Sequence, residues 1–135
     1  NVKVIPKNTI ILSFKLTIGR IAITSQEMAT NEAIAHFNLE DKGMLYYLYS
    51  YLKNFDYEKL GSTSSIATAV NSKIIKAMPI VIPDKETLEN YNEKVSSMFE
   101  KIRENEFENK KLEQLRDTLL PELMNGEIDL DNIKI

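Results

Sequence analysis

The chain has 135 residues, no cysteine and a formal net charge of −3. Without cysteine it cannot form disulfides or thiolate metal sites, which agrees with a reducing, cytoplasmic environment. No stretch of about 18 apolar residues occurs, so a transmembrane helix is not expected. The charge is uneven, because residues 1–80 carry nine Lys and Arg against six Asp and Glu, whereas residues 81–135 carry eight against fourteen.

This uneven charge has two explanations. A basic N-terminal part is compatible with a polyanion that contacts this part of the chain and avoids the acidic remainder. Alternatively, a solvated, Glu-rich helix face accounts for the acidic C-terminal part without any polyanion. Charge alone favours the second explanation, so a nucleic-acid function needs support from other features of the sequence.

The N-terminal third is typical of antiparallel β-structure. Thr9–Leu16 and Ile18–Thr24 are short apolar runs with β-branched residues, and each predicts a strand. Gly19 predicts a tight hairpin or a bulged corner between them. Ser25–Asn31 is polar and is expected to be a loop. Glu32–Phe37 alternates in polarity and predicts a third strand.

The pattern then changes to a helical period. Asp41 is a candidate N-cap for a helix from Lys42 to about Phe55. The small polar residues of Gly61–Ser65 predict a loop. The inner stripe of the predicted helix consists of Leu45, Leu48, Tyr49 and Leu52.

Two short segments precede the C-terminal helix. Asn71 and Ser72 can cap a single turn of helix that continues through Lys76. Met78–Pro83 is apolar and contains two prolines, which predicts an extended edge segment.

One amphipathic helical pattern runs from Asp84 to Met124. Asp84 is a favourable N-cap, Pro121 disfavours helical geometry at Leu120, and Gly126 provides a stop. The part up to Leu120 would be roughly 55 Å long, at about 1.5 Å per residue. Globular helices average about 11–12 residues, so this helix must bury its apolar stripe on another element.

Apolar residues at alternating four- and three-residue steps give this helix an a/d seam, as in coiled coils. Asn105 and Asn109 form a polar layer in the seam, or mark the point where it shifts onto Phe107 and Leu115. Arg116 occupies the core slot between Leu112 and Leu119. We expect the helix-pairing interface to consist of Leu88, Tyr91, Val95, Met98, Ile102, Asn105, Asn109, Leu112 and Leu119.

The predicted fold is therefore α+β. A small mixed α/β domain spans residues 1–83, one long coiled-coil-type α-helix spans residues 84–124, and a C-terminal strap spans residues 125–135. The strap alternates in polarity from Glu127 to Ile135, as in a short strand.

Catalytic signals are weak. His36 is the only histidine and lies on a predicted strand, where a core or edge imidazole is favoured over a general base. The sequence has no nucleophile elbow and no phosphate-cradling glycine loop. It also has no His/Cys/Asp cluster at metal-ligand spacing. We therefore expect neither a catalytic residue nor a metal site.

Two basic, polar segments are candidates for contact with nucleic acid, one around the first hairpin and one around the Gly61–Ser65 loop. Lys and Arg bind phosphates, and hydroxyl groups hydrogen-bond phosphates and base edges. An ordinary solvated loop is the alternative for either segment. The tyrosines between residues 46 and 57 could stack on bases, but their helical spacing favours a core stripe. The candidate DNA-binding residues are Lys15, Thr17, Arg20, Lys59, Ser62, Thr63, Ser64, Ser65 and Lys73.

The order of these segments resembles the specificity subunit of type I restriction–modification enzymes. Each match is loose alone, but the matches follow one another in this order over nearly the entire chain. The matching residues are Ile10–Ser13 with Thr17–Arg20, Ala29–Ile34, Tyr46–Leu48, Gly61–Ser62, Asn71–Ile75, Met78–Pro83 and Leu115–Ile128.

The resemblance implies that residues 1–83 are part of a target-recognition domain, which binds half of a bipartite site in double-stranded DNA. The long helix would be a spacer that pairs with a second copy or a second spacer helix and docks methyltransferase (modification) subunits. A separate restriction subunit would carry the nuclease. S-adenosylmethionine, ATP and Mg are expected on those partners, with no cofactor in this chain.

Two other readings remain open at this stage. The chain could be a coiled-coil protein-interaction module without DNA binding, or the recognition arm of a single-chain methylase–nuclease. Its first residue is Asn1, and neither an initiator methionine nor a signal-peptide layout is present. We expect the chain to be a C-terminal fragment of a longer cytoplasmic protein, because the family it resembles has two domains and two helices.

Overall fold

A computed structural model describes residues 2–15, 17–60 and 70–127, with the backbone alone at Lys59. Short antiparallel strands are followed by helices, so the predicted α+β class is confirmed. The chain divides into two compact units, Asn1–Ser96 and Ser97–Ile135. This division falls inside the last helix, whereas the sequence placed a boundary between residues 83 and 84.

The strands form two antiparallel sheets within the first unit. They are β1 (Lys3–Ile5), β2 (Ile10–Ser13), β3 (Arg20–Ile23), β4 (Met28–Thr30) and β5 (Ile34–Phe37). Strand β2 is the centre of a three-stranded sheet in the order β3-β2-β5, and β1 pairs with β4 in a separate two-stranded sheet. The three strands predicted from the sequence are confirmed, each with shorter bounds, as β2, β3 and β5.

The predicted loop Ser25–Asn31 is wrong in its second half, because Met28–Thr30 is β4. Its partner β1 was not predicted either, and Ile5 lies opposite Met28 in the register. A three-residue strand is too short to show an alternating pattern. Pairing with a segment more than twenty residues earlier stabilises it, so tertiary context overrides the local polar composition.

The core of the first unit lies between the three-stranded sheet and the helices that follow it. Alternation along β2 buries Ile10 and Leu12 completely. Helix α1 (Met44–Lys53) contributes Leu48 and Leu52, and the other two residues of the predicted inner stripe, Leu45 and Tyr49, pack partly buried against the same cluster. The buried cluster consists of Ile10, Leu12, Phe14, Leu48, Leu52, Ile75 and Met78.

Helix α1 begins two residues later than predicted. The Asp41 carboxylate accepts a hydrogen bond from the Gly43 N–H at 2.8 Å, and Gly43 itself is the N-cap without a side-chain capping bond. Asp41 therefore closes a side-chain turn on the residue two positions on, which shifts the start of the helix to Met44. The helix ends at Lys53, and a 3₁₀-helix follows at Tyr57–Leu60.

Helix α2 (Ser72–Lys76) has the predicted cap. The Asn71 side-chain oxygen accepts hydrogen bonds from the N–H groups of Lys73 and Ile74, at 2.9 and 3.1 Å. The following segment, residues 77–84, forms neither strand nor helix. Two hydrogen bonds from α1 hold this segment in place. The Tyr51 hydroxyl donates to the Pro79 carbonyl, and the Tyr47 hydroxyl donates to the Val81 carbonyl.

The last helix, α3 (Lys85–Met124), begins with the predicted Asp84 cap. The Asp84 carboxylate accepts from the backbone N–H and the hydroxyl of Thr87, at 2.8 and 2.9 Å. The backbone bond is the main reason that the pKa of Asp84 lies below its usual range. Leu88 is buried, and the Tyr91 hydroxyl donates to Ser50 Oγ at 2.7 Å. Both residues were expected in the helix-pairing interface, and both instead pack within the first unit.

Helix α3 continues through Pro121 and ends at Met124, so the expected disruption at Leu120 does not occur. Proline has a φ compatible with a helix, and Pro121 lies only three residues before the end of α3, so its missing N–H and the crowding by its ring affect only the last turns. Gly126 has φ +71°, its N–H donates to the Leu123 carbonyl, and the Glu127 N–H donates to the Glu122 carbonyl. This is a Schellman motif, which confirms the predicted stop. The predicted strap beyond residue 127 lies outside the described residues.

His36 on β5 links the two sheets, because its Nε2 lies 2.6 Å from the Thr30 hydroxyl oxygen on β4. Burial, and secondly the charge of Lys3, lower the pKa of His36. The unfolded chain therefore binds the proton more readily, and the free energy of unfolding should fall as the pH drops below about 6.5.

We expect His36→Gln to remove this part of the acid sensitivity. Urea titrations of the wild type and the variant at about pH 7.5 and about pH 5.5 measure the free energy of unfolding. If this free energy fell equally in both proteins at the lower pH, His36 would not be the cause of the acid sensitivity.

Candidate nucleic-acid interface

Three connecting segments meet at one end of the three-stranded sheet. They are the β2–β3 connection, the turn before β5 and the 3₁₀-helix after α1. The Phe14 N–H donates to the Ala33 carbonyl at 3.1 Å, which joins the first two segments. Gly19 lies against the ring of Tyr57, which joins the first and third. The described residues of this end, 14, 15, 17–19, 31–33 and 57–60, are named the loop surface below.

Gly19 shapes the β2–β3 connection. Its φ is +85°, a conformation that L side chains rarely adopt, and its N–H donates to the Ser13 carbonyl at 3.2 Å. A Cβ at this position would lie 3.1 Å from Cδ2 of Tyr57. The Tyr57 hydroxyl donates to the Leu52 carbonyl at 2.8 Å, and burial raises the pKa of Tyr57 to about 12. The predicted corner at Gly19 is thus confirmed, and a fixed aromatic ring supports it.

The turn before β5 presents a carboxylate. The Asn31 side-chain oxygen accepts from the Ala33 N–H at 3.0 Å, and the Ile34 N–H donates to the Asn31 carbonyl at 3.3 Å. Glu32 is at the tip of this turn, and its Oε1 lies 3.4 Å from Nζ of Lys15. A backbone hydrogen bond at Glu32 itself, followed by Lys15, lowers the pKa of Glu32.

The structure brings part of the predicted DNA-binding set together. Lys15 and Thr17 are exposed on the loop surface, and Arg20 is exposed at the start of β3, opposite Ser13 in the register. The backbone of Lys59 lies in the 3₁₀-helix. Lys73 is exposed on α2, outside the loop surface. The remaining candidates, Ser62, Thr63, Ser64 and Ser65, lie outside the described residues.

The tyrosines of α1 have structural contacts, in agreement with the core-stripe interpretation. Tyr47 and Tyr51 bind backbone carbonyls of residues 79–81, and their rings lie 6.2 Å apart. The Tyr47 and Tyr91 rings meet edge to face at 6.1 Å. Together with Ser50, Asn54, Phe55 and Asp56 they line a hollow of about 550 Å³.

No helix within the described ranges has the length and apolar character needed to traverse a bilayer. Across those same residues, His, Asp and Glu side chains nowhere gather in a group of three that could hold a metal ion.

The second unit has an apolar surface on its part of α3. Nine large apolar side chains between residues 97 and 124 are exposed, among the residues that the structure describes. The predicted pairing residues Asn105 and Asn109 are also exposed, whereas Val95 in the first unit is half-buried. Arg116, expected in a core slot, pairs with its neighbour Asp117 at 2.7 Å. The exposed apolar residues are Met98, Ile102, Phe107, Leu112, Leu115, Leu119, Leu120, Leu123 and Met124.

The family model of the type I restriction modification DNA specificity domain matches residues 1–117. The chain belongs to this family. The type I restriction enzyme HindI specificity subunit of Haemophilus influenzae is 35% identical over 130 residues, which cover 93% of this chain and 28% of that protein. This chain thus spans little more than a quarter of the length of the HindI specificity subunit. The family resemblance inferred from the sequence is confirmed.

Sequence reasoning missed several residues of the loop surface in this specificity domain. Glu32 was assigned only to a strand, and Tyr57 was considered only as one of the aromatic residues that could stack on bases or form a core stripe. The Asn31 side chain could have indicated a turn, because asparagine often binds the backbone N–H two residues on. Nothing local to the sequence indicated that Glu32 faces Lys15, since that contact depends on β2 pairing with β5.

Proposed function

We propose that this chain is the DNA-recognition part of a non-catalytic specificity subunit in a type I restriction–modification enzyme. The family match over residues 1–117 is the observation that carries the proposal. The loop surface supports it, because short loops on a packed sheet are a common way to present binding residues on a rigid scaffold.

In this proposal the first unit contacts double-stranded DNA through the loop surface and its neighbours. Lys15, Arg20 and Lys59 neutralise phosphates, which sets affinity and makes it dependent on salt. Thr17 and the hydroxyl groups of residues 62–65 hydrogen-bond phosphates or base edges, and Lys73 adds a further cation. Base choice depends on the loops, while the sheet and α1 fix where the loops start and end.

The apolar residues of the second unit have a separate role in the proposal. They pair with a helix of a second copy or with a second spacer helix, and so set the distance between two recognition domains on a bipartite site. Exposed leucines at coiled-coil spacing support this pairing. The assigned parts are recognition by residues 1–83, spacing by residues 84–124 and a strap at residues 125–135.

The proposal assigns the chemistry to partner subunits in the cytoplasm. Methyltransferase subunits that dock on the spacer helix would hold S-adenosylmethionine, and a restriction subunit would hold ATP and Mg. The recognition chain then contributes position rather than a reacting group. Its effect on the reaction is to hold the partner enzymes at one DNA sequence.

Neutralising three candidate cations tests the DNA-binding proposal. The variant Lys15→Gln, Arg20→Gln, Lys59→Gln should bind duplex DNA more weakly, with a slope of log affinity against log salt that is shallower by up to about 2.7. This value corresponds to about 0.9 for each of three phosphate contacts, and Arg20 and Lys59 alone would account for about 1.8 on a duplex that leaves Lys15 paired with Glu32. Fluorescence anisotropy of a labelled duplex with the full-length protein, at several salt concentrations, measures both quantities.

A matched control replaces three helix cations, with the variant Lys85→Gln, Lys94→Gln, Lys110→Gln. The net charge changes equally, so a general electrostatic effect would weaken both variants to the same extent. The proposed DNA face predicts a large effect for the first variant alone. Unchanged affinity and slope in the first variant would rule out this face.

A coiled-coil interaction module without DNA binding is the second candidate. The exposed apolar side chains of the second unit favour it as much as the first proposal, because they require a partner in either case. The two differ in the first unit. Absence of any salt-dependent duplex binding by the wild-type full-length protein, combined with association through α3, would support the second candidate.

A further inference from the structure

Glu32 is an anionic residue on a surface proposed to contact a polyanion, and this inference rests on the proposed function. Its carboxylate is exposed at the tip of the turn before β5 and pairs with Lys15. An acidic side chain at such a place opposes phosphate. Without the Glu32 carboxylate the loop surface would bind DNA more tightly. A role for Glu32 in DNA binding must therefore be one other than raising affinity.

The pairing of Lys15 with Glu32 follows from the backbone. The Phe14 N–H bond to the Ala33 carbonyl places residues 15 and 32 on adjacent chain segments. The Asn31 side chain fixes the turn that carries Glu32. The carboxylate is ionised at neutral pH, as glutamate ordinarily is, and a backbone hydrogen bond and Lys15 lower its pKa further. A charged pair is thus held in place by two segments that are distant in sequence.

An exposed ion pair of this kind is weak and exchanges its partners readily. A DNA phosphate can replace Glu32 as the partner of Lys15, but only if the phosphate comes close despite the adjacent carboxylate. A duplex held by backbone contacts alone has no further interaction to offset this repulsion. A duplex whose bases also contact the loops is positioned closely enough to exchange the partner.

We propose that Glu32 determines specificity by holding Lys15 and repelling phosphate, so that it weakens the binding of non-specific duplex DNA more than that of the recognised sequence. Glu32 thereby raises the ratio of specific to non-specific affinity, which matters because non-specific sites far outnumber specific ones in a genome.

The variant Glu32→Gln keeps the shape of the side chain and removes its charge. With the full-length protein and a random-sequence duplex as the probe, we expect about fivefold tighter binding at about 0.1 M salt. The slope of log affinity against log salt should be steeper by about 0.9, because Lys15 gains one phosphate contact. In a selection from a randomised duplex pool, the retained DNA should show a weaker consensus.

Two further variants identify the cause. In a Lys15→Gln background, Glu32→Gln should no longer steepen the slope, since the released cation is absent. Glu27→Gln makes the same charge change directly before β4 in the other sheet, and it should leave the slope unchanged. Equal steepening by Glu27→Gln, or steepening that persists without Lys15, would show a general charge effect and overturn the proposal.

Three other outcomes would lead to different conclusions. A slope for Glu32→Gln equal to that of the wild type would overturn the proposal while leaving DNA recognition intact. A change in the preferred base at one position, without tighter random binding, would make Glu32 a direct reader of a cytosine amino group and also overturn it. No salt-dependent binding by the wild type would remove the proposed function itself, and this inference with it.

Discussion

Replacing Leu112 and Leu119 by aspartate is expected to weaken the proposed association of α3 with a second helix by about 100-fold or more. Both leucines are exposed, by 55% and 36%, and lie seven residues apart on one face of the helix. Burying a leucine side chain contributes about 1.5–3 kcal/mol, and about 1.4 kcal/mol corresponds to a tenfold change in affinity. Two lost leucines, replaced by carboxylates that resist burial, therefore remove most of the association energy.

Sedimentation equilibrium of the chain measures association with a second copy, and Gln114→Asp provides the control. Gln114 is about 200° around the helix from Leu112, so its substitution adds a charge on the opposite face. We expect the control to associate like the wild type. Equal association of all three proteins would show that this apolar face is not the pairing interface.

Replacing Gly19 by valine is expected to destabilise the first unit by about 2–5 kcal/mol. A left-handed conformation costs an L residue about 1–2 kcal/mol. The added Cβ would lie 3.1 Å from the ring of Tyr57, which a hydrogen bond to the Leu52 carbonyl holds in place. Forcing the ring aside adds about 1–3 kcal/mol of overpacking. Urea unfolding followed by circular dichroism measures the loss.

The contact with Tyr57 can be separated from the backbone strain. In a Tyr57→Ala background the same substitution meets no ring, so it should cost only the backbone part, about 1–2 kcal/mol. Equal losses in the two backgrounds would mean that Tyr57 does not support the corner. The comparison also tests whether the 3₁₀-helix and the hairpin form one surface.

The sequence predicted the features that depend on residues close together in the chain, such as helix caps. Asn71 and Asp84 cap helices because their side chains bind N–H groups two or three residues away. The alternation of β2 and the corner at Gly19 also depend on neighbours in the chain. Strand β4 could not be predicted, because Met28–Thr30 is stabilised by pairing with Lys3–Ile5.

The sequence predicted several residues of the candidate site from their type, but it did not predict how they are arranged in space. Lys15, Thr17 and Arg20 stand out as cations and a hydroxyl around a hairpin, and the structure brings them to one end of the sheet. The partner of Lys15 depends instead on the register that sets Ser13 opposite Ile34. In the same way, the a/d spacing of Leu88 and Tyr91 is real, but it cannot reveal which surface covers them.

Helix α3 contributes residues to both compact units of the chain. Its first turns are fastened to α1, because the Asn92 side chain donates to the Gly43 carbonyl and Tyr91 binds Ser50. Unfolding of these turns would break both hydrogen bonds and expose Leu88, which is buried. The turns beyond Ser97 have exposed apolar side chains, and helices in water depend largely on packing for their stability. We therefore expect these turns to be the less stable part of α3, and to gain stability when another surface covers their apolar side chains.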